Sequence, residues 1–194
     1  MRDYIRLAGV LLIVCAIAAA LLGFTNGVTY DKIEAQIEKA NNEARQQVLP
    51  TADEFVALDA DALASIQANP DYSIVKEIYQ AKSGGNTAGY TVMVSPKGYG
   101  GAIQLIVGVD VNGVVQGIKV GTNNETPGLG KNAEKAAFSD QYKNKSWDSQ
   151  IAVIKNGVPK ENEIVAIAGS TITSKGVTTG VNTAMAVAKE LSGK

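Results

Sequence analysis

Ala102-Ile103-Gln104-Leu105-Ile106-Val107-Gly108-Val109, Asp110-Val111-Asn112-Gly113, Val114-Val115-Gln116-Gly117-Ile118-Lys119-Val120: this stretch decides the fold class. Its two flanks, Ala102 to Val109 and Val114 to Val120, read as β-strands, rich in Val and Ile. Asn112-Gly113 between them is a two-residue hairpin signal, because both residues tolerate φ above zero. The strands are therefore antiparallel neighbours.

The same character extends upstream. Ser73 to Gln80 and Tyr90 to Val94 read as strands, separated by the Ser83-Gly84-Gly85-Asn86 turn. Downstream, Ala133 to Phe138 reads as a short helix, and Ile151 to Ile154 and Ile164 to Ile167 as further strands. A closing helix runs from about Ser174 to Leu191. Its apolar residues Val177, Val181, Ala184, Ala188 and Leu191 keep to one face. Antiparallel strands with helices set apart indicate an α+β domain, an antiparallel sheet with flanking helices.

The N-terminus is of another kind. Leu7 to Phe24 carries no charge and is about the length a helix needs to cross a bilayer core. Arg2 and Arg6 precede it and the next basic residue, Lys32, comes well after, so the positive-inside rule places the N-terminus in the cytoplasm and the rest outside. Ala18-Ala19-Ala20 offers a competing signal-peptide cleavage site. The apolar run continues past it through Leu21, Leu22 and Phe24, which favours a single transmembrane anchor. Asp31 to Val48 then reads as a polar helix with a thin stripe of Ile33, Ile37 and Ala40, ended by Leu49-Pro50. Thr51 to Asn69 continues in a helical style up to Asn69-Pro70. The expected organisation is an anchor over 1–28, a helical spacer over 29–70 and a domain over 71–194.

Composition excludes several chemistries. The 194 residues carry a net charge of −1, with no basic stripe for nucleic acid, and contain no His. His-based acid–base catalysis, His–Ser triads and most zinc sites are ruled out. The single Cys15 lies in the apolar run, which leaves neither a disulfide framework nor a self-contained iron–sulfur site. No Gly-x-Gly-x-x-Gly follows a strand, so a nicotinamide fingerprint is missing.

The densest chemical feature is Ala168-Gly169-Ser170-Thr171-Ile172-Thr173-Ser174, with four hydroxyls and a glycine at the start of the closing helix. Hydroxyls and free N–H groups at a helix N-terminus suit a phosphate, which the helix dipole also favours. Ser and Thr are equally ordinary N-caps. A second feature, Glu125-Thr126-Pro127-Gly128-Leu129-Gly130, contains a strong type II turn signal in Pro127-Gly128. Its glycines would let backbone approach a flat ligand, with Leu129 free to pack on a ring face.

Both segments resemble motifs of the FMN-binding domain family, which includes the G subunit of Rnf complexes and the C subunit of sodium-pumping NADH:quinone reductases. The run from Ala168 to Ser174 is similar to the family's flavinylation motif. It departs from it at Ala168, Ser170 and Val165, where a hydroxyl residue, Ala and Asp are usual. Glu125 to Gly130 is similar to a second signature, and Lys97-Gly98-Tyr99-Gly100-Gly101 to a third stretch, so the likeness covers roughly residues 75 to 194. The resemblance implies that Thr171 carries covalent FMN through a phosphoester. The implied cofactor-binding residues are Gly169, Ser170, Thr173, Ser174 and Lys175, with Glu125, Thr126, Gly128, Leu129, Gly130 and Tyr99.

The resemblance also implies an electron-relay subunit that works with other membrane subunits of an Rnf-type ion-translocating ferredoxin:NAD oxidoreductase and is matured by a flavin transferase. The span holds no acidic residue and is a poor ion path. Two alternatives belong to other classes. A stand-alone extracytoplasmic FMN reductase would want a carboxylate-binding Arg cluster, and the only Arg beyond the span is Arg45. A pseudopilin-like structural module would carry a processing leader and an acidic residue early in its apolar helix, and neither is present.

Overall fold

A computed structural model describes residues 1–193, in two compact units, Met1–Asn42 and a second one from Glu43 onward. The first unit is a single helical stretch, the greater part of helix α1 (Arg2–Val48). Its apolar side chains, among them Leu11, Leu12, Leu21, Leu22 and Phe24, are all exposed. This is the one helix among the described residues that is long and apolar enough to cross a membrane. At the end of the apolar run Thr25 and Thr29 donate their hydroxyls back to the carbonyls of Leu21 and Thr25, both at 2.8 Å.

The second unit is built on a five-stranded antiparallel sheet of consecutive strands: β1 (Glu54–Ala57), β2 (Val75–Ser83), β3 (Asn86–Val94), β4 (Ile103–Asp110) and β5 (Val115–Asn123). A hairpin joins β4 to β5 where Asn112-Gly113 predicts one, but its turn runs over Asp110–Gly113, closed by Gly113 N–H to the Asp110 carbonyl at 3.0 Å, and Asn112 does not take positive φ. Gly113 has φ +83°, and Asp110 fixes the turn by accepting from the N–H groups of Asn112 (2.8 Å) and Val114 (2.9 Å). Between β2 and β3, Gly84 and Gly85 adopt φ +56° and +83°, the pair of positive values that a tight hairpin turn of two residues requires.

Alternation along the central strands makes two apolar faces. Val92, Val94, Leu105 and Val107 belong to the main core with Val177, Val181 and Ala184 of the long closing helix α4 (Thr171–Leu191). Met93 and Ile106, one residue out of phase, pack with Ala44 and Val48 at the end of α1. That contact requires glycine: a Cβ on Gly108 would lie 2.3 Å from the Val48 carbonyl oxygen, and its cross-strand partner Gly117 is 3.3 Å from Val48 Cα on the same basis. Both sheet faces are covered, which explains why β3 and β4 are buried almost throughout.

Three differences from the sequence expectation have physical causes. The second unit takes in residues from Glu43, because Ala44, Arg45 and Val48 are buried against the sheet. Within the expected helical stretch 51–69, Glu54–Ala57 is instead strand β1, drawn onto the β2 edge in register Glu54↔Lys82 to Ala57↔Tyr79, and only α2 (Ala60–Gln67), capped by Asp59, is helical. The short helix at 133–138 divides into a 3₁₀ turn, Gly130–Glu134, and a single α turn, α3 (Ala136–Ser139). The two late strands, β6 (Ala152–Ile154) and β7 (Glu163–Val165), form a separate parallel pair.

Candidate functional site

The closing helix begins at Thr171, three residues earlier than its apolar periodicity suggests. Gly169, at φ +74°, turns the chain into it, and Ser170 occupies the N-cap without a capping side-chain bond. The first turn is held from inside by Ser174. Its fully buried hydroxyl donates to the Ser170 carbonyl and accepts from the Ile167 N–H, both at 2.9 Å. The N–H groups of Thr171, Ile172 and Thr173 open the helix and have no acceptor within it.

These residues form one wall of an open cleft of about 570 Å³. A second wall is the segment from Glu125 to Gly130. The type II turn is present: Gly128 has φ +78°, and the Leu129 N–H donates to the Thr126 carbonyl at 3.1 Å. The third wall is the tight hairpin Lys97–Ala102, closed by Gly98 N–H to Gly101 carbonyl at 2.7 Å, with Tyr99 at its tip. Three apolar side chains around the cleft are exposed, Tyr99 at 73%, Ile172 at 57% and Leu129 at 44%. Together they give the cleft an apolar rim.

One carboxylate ties the three walls together. Glu125, only 4% exposed, accepts the Gly100 N–H on Oε1 at 2.9 Å and the Thr173 hydroxyl on Oε2 at 2.6 Å. The glycines around it make room for its side chain. A Cβ on Gly98 would sit 2.3 Å from Oε1, and one on Gly130 2.0 Å from Oε2. The helix itself approaches the hairpin through Gly176, where a Cβ would come 2.5 Å from the Lys97 carbonyl oxygen. Beside the cleft, Glu134 is held below its usual carboxylate range, first by the Asn123 amide that donates to it at 2.8 Å. Beneath the helix, burial raises the Tyr142 phenol well above its ordinary value, against the Thr178 hydroxyl 2.7 Å away.

Of the residues read from sequence, Tyr99, Glu125, Thr126, Leu129, Gly130, Gly169, Ser170, Thr171 and Thr173 line this one cleft. Gly128, Ser174 and Lys175 do not. Gly128 lies on the exposed outside of its turn, Ser174 is buried behind the wall, and Lys175 points to solvent. Sequence reasoning did not single out Ile172, whose signal was an apolar residue set between two threonines in the first turn. It also missed the packing of Gly98 and Gly100 on the carboxylate and the Asn124 backbone. No lysine or arginine lines the cleft, and no metal-binding cluster occurs among the described residues.

Comparison with known proteins assigns this domain to the FMN-binding class. The model of the FMN-binding domain family matches residues 98–186. The crystal structure of NqrC from Shewanella oneidensis superposes with a TM-score of 0.56 at 18% identity, covering 75% of this chain and 91% of that one. The G subunit of the Na(+)-translocating ferredoxin:NAD(+) oxidoreductase complex of Acetobacterium woodii is 42% identical over 193 residues, 96% of this chain and 92% of that protein. The G subunit of the proton-translocating ferredoxin:NAD(+) oxidoreductase complex of Clostridium ljungdahlii is 42% identical over 127 residues, 66% of this chain and 64% of that protein. The chain belongs to the family of G subunits of ion-translocating ferredoxin:NAD oxidoreductase complexes, and with them to the FMN-binding domain proteins.

Proposed function

We propose that this chain is the membrane-anchored flavin subunit of an ion-translocating ferredoxin:NAD oxidoreductase complex, with FMN joined to Thr171 through a phosphoester. The observation that carries this assignment is the allocation of hydroxyls at the start of α4. Thr173 spends its hydroxyl on Glu125 and Ser174 on the Ser170 carbonyl, and both are buried. Thr171 is half-buried on the cleft wall, and its hydroxyl has no hydrogen-bond partner among the described residues.

The remaining features suit the same cofactor. A cleft of about 570 Å³ lies within the range of small-molecule sites. The three open N–H groups of Thr171 to Thr173 and the helix dipole supply the positive end that a phosphodiester needs in a cleft without lysine or arginine. Tyr99, Leu129 and Ile172 offer apolar surface for a ring. FMN, when bound, supplies one- and two-electron redox chemistry. The chain's part is to hold it and orient it.

The anchor and the relatives favour a relay inside a larger assembly, with other membrane subunits as electron partners and a flavin transferase for maturation. Arg2 and Arg6 before the span favour an extracytoplasmic flavin domain. The two relatives above are equally identical to this chain yet are named for different ions, sodium and protons. With no acidic residue between Leu7 and Phe24, the ion path belongs to another subunit. A stand-alone reductase is disfavoured because Arg45 is 1% exposed, paired with Glu77 at 2.8 Å and stacked 3.6 Å over the Tyr79 ring, so its guanidinium is not offered to an acceptor.

The test is covalent flavin fluorescence in a denaturing gel of membranes from cells that express the maturation machinery. Thr171→Ala should abolish the signal while Thr173→Ala retains it at reduced occupancy. Fluorescence kept by Thr171→Ala sinks the assignment.

A further inference from the structure

The segments that build the cleft carry exposed charge of one sign. The hairpin wall contributes Lys97, with no acidic residue between Val94 and Ala102. The turn wall runs directly into Lys131, and Lys135 lies beyond it in a shallow groove shared with Ile167. Helix α4 contributes Lys175 and holds no acidic residue between Thr171 and Lys189. Lys175 follows Thr171 at i+4 and Ile172 at i+3, so it stands on the same helix face as both. Lys97 and Lys175 are neighbours across two walls, because the Lys97 carbonyl oxygen would lie 2.5 Å from a Cβ on Gly176. Neither makes an ion pair among the described residues, nor does Lys135, and Lys131 is paired with Glu134 at 3.3 Å. Glu125, the one acidic residue on the three walls, is buried and engaged by Gly100 and Thr173.

This border is not a sample of a basic protein. The chain has a net charge of −1, and residues 43–77, which run through the β1 edge of the sheet, hold seven acidic residues against Arg45 and Lys76. The cleft itself exposes Tyr99, Leu129 and Ile172, so its mouth has an apolar centre with lysines beside it. An apolar centre with a charged periphery is the layout of a protein interface, in which the periphery selects the partner by charge and steers its approach. Resting on the flavin assignment above, we propose that the mouth of the cleft is a docking surface for the acidic face of a second redox subunit. Carboxylates on that face meet Lys97, Lys131, Lys135 and Lys175, and its centre covers the three apolar side chains. One electron passes across the contact, so the partner's centre is oxidised as the flavin is reduced, or the reverse, and no bond changes. A contact held by charge at its border is small and readily released, which suits a relay that must let its partner go.

The experiment uses the whole complex, purified in detergent with this chain at full length. A carbodiimide, which joins a lysine amine to a carboxylate in contact with it, is added at low ionic strength, and the joined peptides are identified by mass spectrometry. Lys97 and Lys175 should join to Asp or Glu of another subunit, and the products should vanish at about 1 M salt, where screening acts within about 3 Å. Lys155 and Lys160, also exposed but on the β6–β7 loop, should give none. Flavin reduction is then followed by stopped flow after mixing with reduced ferredoxin. Lys97→Glu/Lys175→Glu should slow it about tenfold at about 0.01 M salt and leave it within about twofold of wild type at about 1 M. Lys97→Gln/Lys175→Gln should fall between, and Lys155→Glu/Lys160→Glu should match wild type at both.

Absence of joined peptides from both lysines, or a slowing that is the same at both salt concentrations, overturns the proposal. Slowing seen only in phosphatidylglycerol vesicles and not in detergent overturns it too, and makes the lysines a lipid headgroup site instead. Covalent flavin fluorescence of each sample is measured first. A complex without flavin refutes the cofactor assignment, whereas a flavin-loaded complex whose rate ignores the lysines refutes the docking surface alone.

Discussion

Gly176→Ala tests whether α4 positions the cleft by close approach to the hairpin that carries Tyr99. The new Cβ would lie 2.5 Å from the Lys97 carbonyl oxygen, 3.2 Å from its carbonyl carbon and 3.5 Å from Gly98 Cα. All three are backbone atoms, so no rotamer change relieves the contact, and reaching ordinary van der Waals distance requires the hairpin or helix to move by about 1 Å. The hairpin is not free to slide. It is held by Gly98 N–H to Gly101 carbonyl at 2.7 Å, by Ile103 N–H to Pro96 carbonyl at 2.9 Å and by the Gly100 bond to Glu125.

Two effects oppose each other in that variant. Alanine in a helix interior is favoured over glycine by about 1 kcal/mol. Overpacking against fixed backbone costs about 1–3 kcal/mol, and contact with an immobile carbonyl belongs at the upper end. The net expectation is a loss of about 1–2 kcal/mol, or about 2–8 °C in Tm for a protein of this size. The assay is thermal unfolding of the detergent-solubilised chain, with the exposed Thr179→Ala on the same helix to isolate the propensity gain. A Gly176→Ala protein as stable as Thr179→Ala would mean that the hairpin yields freely and that the helix does not position it.

Two further outcomes are expected. Gly128 has φ +78° with nothing within 4 Å of a Cβ, so Gly128→Val meets only backbone strain. It should shift the flavin potential and slow electron transfer while fluorescence at Thr171 persists, and an unchanged potential and rate would show that the turn does not touch the ring. Protease added outside cells with a permeabilised outer envelope should cut beyond Tyr30, and full protection under conditions that cleave a known external domain would reverse the topology.

What the sequence made legible is what local chemistry controls. Asn112-Gly113 reads as a hairpin signal and Ser83-Gly84-Gly85-Asn86 as a turn because glycine adopts positive φ freely, and Gly85 and Gly113 both take +83°, although Asn112 does not follow. The uncharged run from Leu7 to Phe24 is equally local. Strand β1 was not legible, because Glu54-Phe55-Val56-Ala57 has no signal stronger than its helical surroundings and becomes a strand only by pairing with β2. The start of α4 was misplaced for a related reason. Its apolar face begins at Val177, whereas its first turn is fixed by polar bonds from Ser174 to Ser170 and Ile167 that no periodicity encodes.

The site divides along the same line. Motif segments around Tyr99, Thr126 and Thr171 could be picked out one at a time, but the chain alone does not say that they meet. They meet through Glu125 and Thr173, 48 residues apart in sequence and 2.6 Å apart in space. That contact changes how the hydroxyl run is understood. By residue type alone Thr171, Thr173 and Ser174 are interchangeable at a helix start, and only the family resemblance singles out Thr171. In the fold Thr173 is 1% and Ser174 0% exposed, each engaged by a named partner, while Thr171 stays half-buried on the cleft wall. Which hydroxyl of the run stays open to the cleft is therefore a tertiary property. A sequence that kept Ala168 to Ser174 but lost Glu125 would keep the motif and leave the Thr173 hydroxyl without the partner that engages it.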